Sequence, residues 1–148
     1  MITSIVVGTD GSDTARLAVQ EAADLARGMG ATIELVSAYA PISAARMREE
    51  RRDLPGDLHH RIQPYEDVQA LLDEIKETLE DAGVPKVNVY AREGDPADAI
   101  IDVAEERDSD LIVVGNKGMT GAKRFFLGAV PNKVSHHAPC SVLIVRTT

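Results

Sequence analysis

Two hydrophobic periodicities alternate along this chain. Compact apolar runs occupy 4–8 (SIVVG), 32–39 and 111–115, and a further run begins at Ser141 and ends at Arg146. The stretch 86–92 alternates apolar with polar residues. Short runs of this kind, about four to eight residues long and rich in Val, Ile and Leu, fit strands buried in a sheet. Between them apolar residues recur three or four positions apart. Ala15, Ala18, Val19, Ala22, Ala23 and Ala26 make one stripe, and Tyr65, Val68, Leu71, Leu72, Ile75 and Leu79 a second. Ala97, Ile100, Ile101 and Ala104 make a third, and 130–137 reads as a short fourth helix. This spacing gives each helix one face to bury.

Punctuation supports the division. Ser12 is placed to cap a helix over 15–29, and Gly28 and Gly30 to end it. Gly83 and Pro85 close the second helix. Asp95 followed by Pro96 opens the third, as a capping side chain with proline in the first turn. Strands alternating with helices predict an α/β fold: an open parallel five-stranded sheet with helices on both faces, Rossmann-like. Right-handed crossovers restrict the topology without giving the strand order. At 148 residues, one domain spanning 1–148 is expected. The segment 41–64 breaks the rhythm. It carries prolines, a charge run over 46–53 and the pair His59 and His60. It is expected to be an exposed, mobile insertion with a helical turn near 44–52, its charges forming a solvated face.

Composition adds three constraints. Hydrophobic residues make up 44% of the chain but aromatics only 3%, with no Trp, so the core must be built from Val, Ile, Leu and Ala. Sixteen basic residues against 24 acidic ones give a net charge of −8, which opposes nonspecific binding to nucleic acid or to an anionic membrane. No apolar run approaches the roughly 18 residues of a membrane span, and the start of the chain does not read as a signal peptide. A single cysteine, Cys140, excludes an intrachain disulfide. A cytoplasmic protein without nucleic-acid or membrane partners is the expectation.

The candidate chemistry lies at the carboxyl ends of the first and fourth strands. Val114 and Gly115 end an apolar run; Asn116 and Lys117 follow, then Gly118, with Gly128 after nine more residues, just ahead of a helix start. Glycines between a strand and a helix let backbone N–H groups approach an anion, and the helix N-terminus adds about half a positive charge. The same spacing also fits a plain surface loop. Lys117, Lys123 and Arg124 make the loop locally basic. Asp10 follows the first strand. It either forms a turn before Gly11 or serves ribose hydroxyls or a phosphate-bridging cation. A P-loop is excluded, because neither Gly115 nor Gly118 is followed at the required distance by Gly-Lys-Ser/Thr. His136, His137 and Cys140 make a poor metal set, since adjacent helical histidines diverge by about 100° and a fourth ligand is missing. Cys140 is better read as a small core residue than as a nucleophile.

The loop from Val114 onward, taken with SIVVGTDGSDTA at 4–15, resembles the universal stress protein family over nearly the whole chain. Nucleotide-binding members carry Gly, two residues, Gly, nine residues, Gly, then Ser or Thr. Gly115, Gly118 and Gly128 match, whereas Ala129 stands at the Ser/Thr position. Branch features, VVGN and GAVPNKV, look like the actinobacterial members associated with cyclic AMP. The resemblance implies strand order 3-2-1-4-5 and a homodimer paired through the last strand. It implies an adenine nucleotide (ATP, AMP or cyclic AMP, with Mg accompanying ATP through Asp10) held by Gly8, Thr9, Asp10, Ala38, Val114, Gly115, Asn116, Gly118, Gly128, Ala129, Val130 and Pro131. With Ala129 lacking a hydroxyl and Pro131 lacking an N–H, a weaker grip on distal phosphates is expected. A sensor or regulator of the stress response follows, with no residue set for rapid turnover and at most slow ATP hydrolysis. The alternative is a nucleotide-free dimeric interaction protein whose glycine loop is structural. A related adenylate-forming or pyrophosphatase enzyme would need a phosphate signature that the chain lacks.

Overall fold

The computed structural model describes residues 1–40, 64–116 and 127–147. Five strands form one parallel sheet: β1 (Ser4–Gly8), β2 (Thr32–Tyr39), β3 (Lys86–Glu93), β4 (Leu111–Gly115) and β5 (Ser141–Val145). The order is β3-β2-β1-β4-β5, as the resemblance implies. Four helices appear among the described residues: α1 (Asp13–Met29), α2 (Tyr65–Asp81), α3 (Pro96–Glu106) and α4 (Ala129–His137). The expected insertion lies outside the described residues apart from Pro64, which pairs with Ala40 in an isolated parallel bridge.

Strand parity divides the core into two layers. Ile5, Val7, Ile33, Leu35, Leu111 and Val113 face α1 and α2, packing on Ala18, Ala22, Ala26, Val68 and Leu72. Val6, Val36, Ile112 and Val114 face the other way, onto Ala97, Ile100, Ala104 and Val134. Successive side chains of a strand point to opposite faces, so runs buried on both sides must be apolar throughout. Alanines on α1 let that helix lie close to the sheet. Of the α2 stripe, Val68, Leu72 and Leu79 are buried while Tyr65 is half exposed.

Boundaries shift by a residue or two. Ser12 caps α1, its Oγ accepting from Ala15 N–H at 3.2 Å, so the helix starts at Asp13. Gly28 lies inside α1, and only Gly30, at φ 69°, ends it in the left-handed region. Asp95 caps α3, accepting from Asp98 N–H at 3.0 Å. Cys140 is half buried beside the α3/α4 layer rather than within it, and burial, then the charge of Asp110, pushes its thiol pKa up. That is the wrong direction for a nucleophile.

One polar cluster interrupts the apolar layers. Glu34, in the middle of β2, is only 3% exposed. It accepts from the Tyr90 hydroxyl at 2.7 Å and from Asn88 Nδ2 at 3.1 Å, both on β3, with Arg107 Nε 3.8 Å away. The parallel register sets Asn88 directly opposite Glu34, so the sheet itself delivers the donors. A buried carboxylate persists only when hydrogen-bonded or paired.

Candidate functional site

The sheet order makes β1 and β4 neighbours, and the winding reverses between them. At such a switch point the loops leaving two adjacent strands diverge to opposite faces and open a crevice. A cavity of about 330 Å³ lies there. Gly8, Thr9 and Asp10 line it from β1, Val36, Ser37 and Ala38 from β2, and Val114 and Gly115 from β4. Asp95, Pro96 and Ile100 contribute from α3 and its cap, and Ala129, Val130 and Pro131 from the first turn of α4. Ser12, Thr14, Ala15 and Ala18 close the α1 side, with Thr147 beyond β5.

The turn after β1 is held in several ways. Thr9 is buried; its N–H donates to the Val36 carbonyl at 2.9 Å, and its own carbonyl accepts from Ser37 Oγ at 2.6 Å. Asp10 Oδ1 accepts from Ser12 N–H at 2.9 Å, which makes the turn that is the first of its two expected roles. Gly11 sits at φ 82°, a conformation a side chain would strain. Asp10 thus forms the turn and lines the cavity at once. Gly8 has a different constraint. A Cβ there would stand 2.5 Å from Ile100 Cδ1, so a larger residue would force Ile100 to move.

Electrostatics differ between the two ends of the crevice. Gly128 is the N-cap of α4 and makes no side-chain cap, so the first-turn amides of Ala129 and Val130 meet no capping oxygen from it. A helix start of this kind favours an anion. Asp95 would oppose one, but Lys133 on α4 reaches Asp95 Oδ2 at 3.3 Å and Asp98 Oδ1 at 2.8 Å. Those carboxylates, Asp98 foremost, hold the Lys133 ammonium pKa above its usual value.

Nine of the twelve residues expected in the site line this cavity. Gly118, with the basic residues Lys117, Lys123 and Arg124, lies outside the described residues. Gly128 is outside the lining; as the N-cap of α4 it sits at φ −61° and ψ 163°, a backbone any residue can adopt. Asn116 is also outside the lining. Its side-chain oxygen accepts from Thr147 N–H and Thr147 Oγ1, each at 2.9 Å. Sequence reasoning missed ten lining residues: Ser12, Thr14, Ala15 and Ala18 at the start of α1, and Val36, Ser37, Asp95, Pro96, Ile100 and Thr147, whose elements come beside β1 and β4 only through the fold. The only usable signal was the Asp95-Pro96 cap, since a helix start in a parallel sheet lies near the carboxyl edge. His136 and His137 sit side by side on α4, ring centroids 6.3 Å apart, and His59 and His60 lie outside the described residues. Among the described residues no three His, Cys, Asp or Glu side chains gather as a metal site.

Comparison with known proteins gives the family and the fold. Residues 1–146 match the profile of the universal stress protein family. Universal stress protein Rv1636 of Mycobacterium tuberculosis is 37% identical over 147 residues, covering 98% of this chain and 97% of its own. A universal stress protein of Thermus aquaticus is 34% identical over 152 residues, covering 99% and 100%. Among solved structures, a universal stress protein in complex with cAMP superposes with a TM-score of 0.73 at 33% identity, covering 99% of both chains.

Proposed function

This chain belongs to the universal stress protein family, and we propose that it is a nucleotide-binding member that holds an adenine nucleotide in the crevice between the Asp10 turn and the start of α4. Its role is then that of a sensor or regulator in the stress response, where occupancy rather than turnover carries the signal. One observation carries the reading. The cavity combines an apolar floor (Val36, Ala38, Ile100, Val114) with an uncapped helix start at one end, which suits a flat base at one side and an anion at the other. The relative solved with cAMP supports the choice of adenine nucleotide. Mass spectrometry of small molecules released from freshly purified, denatured protein tests it, followed by calorimetry with AMP, cyclic AMP and ATP. No retained nucleotide, and no binding heat with any of the three, would leave the interaction-protein reading in its place.

Ala129 bears on which nucleotide is held. Without a hydroxyl, the first turn of α4 offers the anion only backbone donors. Ala129→Ser is expected to raise ATP affinity by up to about tenfold and to leave AMP and cyclic AMP little changed, because a new bond to a charged oxygen contributes on the order of 1.5–3 kcal/mol, partly offset by lost water contacts. Equal gains for ATP and AMP would mean that residue 129 does not face the distal phosphates.

The functional unit is proposed to be a homodimer paired through β5. This strand closes one edge of the sheet, with Val142, Leu143 and Val145 half buried and Ile144 exposed. An apolar edge invites pairing by a second copy. Sedimentation at micromolar concentration should give the mass of two chains; a monomer throughout would refute the assembly.

A further inference from the structure

Thr147 forms a wall of the cavity although it lies two residues beyond the end of β5. Asn116 holds it there. The Asn116 N–H donates to the Val145 carbonyl at 2.9 Å, extending the β4–β5 pairing by one step. Its side-chain oxygen then accepts from both the N–H and the hydroxyl of Thr147, each at 2.9 Å. Asn116 is only 8% exposed. A backbone N–H can only donate, so the atom of the amide that faces Thr147 is the oxygen, and the hydroxyl bond to that same oxygen must use the hydroxyl proton. What Thr147 Oγ1 can still offer is lone pairs. Gly115 completes the arrangement. A Cβ at 115 would stand 3.0 Å from Thr147 Cγ2 and 3.9 Å from Ala18 Cβ, so the missing side chain is what admits Thr147.

From this geometry we infer that Thr147 contacts the bound nucleoside, accepting a hydrogen bond from one of its donors, and that Asn116 is the positioning residue that aims it. The inference rests on the nucleotide reading above. Its chemistry is selective. AMP and ATP carry three kinds of donor, the 2′-hydroxyl, the 3′-hydroxyl and the exocyclic amine, and cyclic AMP keeps the first and the last, whereas an ionised phosphate only accepts. A hydroxyl whose proton is committed elsewhere therefore reads the nucleoside and not the phosphate. Gly115, assigned by its motif to the phosphate loop, acquires a second role as the space in which Thr147 sits.

Thr147→Val keeps the shape and the backbone bond to Asn116 while removing the hydroxyl. Calorimetry with AMP should give an affinity about two- to tenfold lower than that of the unaltered chain, the range of a neutral hydrogen bond. The loss should vanish for one of 2′-deoxy-AMP, 3′-deoxy-AMP or purine riboside 5′-monophosphate, namely the analogue lacking the donor that meets Thr147. Undiminished AMP affinity, or the same loss with all three analogues, overturns the contact. Asn116→Ala should lower AMP affinity too, and the double variant should bind no worse than Asn116→Ala alone; additive losses overturn the positioning role. Thermal unfolding of each variant separates lost binding from lost fold, and if Asn116→Ala does not fold, Thr147→Val with the analogue series decides alone. An unaltered chain that fails to bind AMP removes the nucleotide reading and this inference with it. That result is distinct from AMP binding that ignores Thr147.

Discussion

Gly128→Val is expected to reduce AMP affinity by at least about 100-fold, close to 3 kcal/mol, while the chain stays folded. The two halves of that expectation have separate causes. The backbone at Gly128, φ −61° and ψ 163°, is extended and open to valine, so no backbone strain opposes the substitution. A β-branched side chain at the N-cap, however, stands over the first-turn amides of Ala129 and Val130, where an anion must come within hydrogen-bonding distance. Calorimetry and thermal unfolding of the same sample check both halves. Retained affinity would move the anion away from the start of α4. Lost fold would mean that Gly128 is needed for space within the loop.

Tyr90→Phe is expected to lower stability by about 1.5–3 kcal/mol, the range for a hydrogen bond to a charged partner. For a chain of this length that corresponds to roughly 3–12 °C in the unfolding midpoint. The hydroxyl is the shortest donor to the Glu34 carboxylate, and that residue is only 3% exposed, which leaves little room for water to replace it. The same contact has a signature in titration. Burial, and next the hydrogen bond to Glu34, pushes the Tyr90 phenol up to about 12 from its ordinary 10.0. The folded state thus keeps a proton that the unfolded chain releases. The associated stability is fully present below pH 10 and is lost as pH rises through 12. Ultraviolet titration should contain a tyrosinate step near pH 12 that Tyr90→Phe removes. An unchanged midpoint and an unchanged titration would mean that Glu34 finds its partners elsewhere.

The cluster around Glu34 also marks where sequence reading stops. Within β2 a single acidic residue among apolar neighbours looks like an outward-facing position. Only the pairing of β2 with β3 brings Asn88 and Tyr90 beside it, and no local pattern encodes that register. Asn116 follows the same logic. Its place after Val114-Gly115 suggests a loop residue that touches ligand, yet its partner Thr147 is 31 residues away and meets it only because β4 and β5 are neighbours. Gly28 and Gly30 look alike in the sequence, but only Gly30 adopts the left-handed conformation, where the N–H groups of Gly30 and Ala31 both close on the Ala26 carbonyl and α1 ends.

Local chemistry determined the rest. The apolar runs are strands because they are short and rich in β-branched residues, which pack well on a pleated surface buried on both faces. The stripes are helices because their spacing matches the helical turn. Ser12 and Asp95 cap where they do because a side-chain oxygen there reaches an N–H within three residues. These are interactions over a few positions, so the sequence alone carries them. The crevice itself was decided by the tertiary structure. It exists because β1 and β4, more than a hundred residues apart, lie side by side with their loops diverging. Its walls come from six helices and strands and from Thr147 beyond a seventh. Contacts at that separation are selected by the global packing of two core layers, and no window of sequence contains the energy that fixes them.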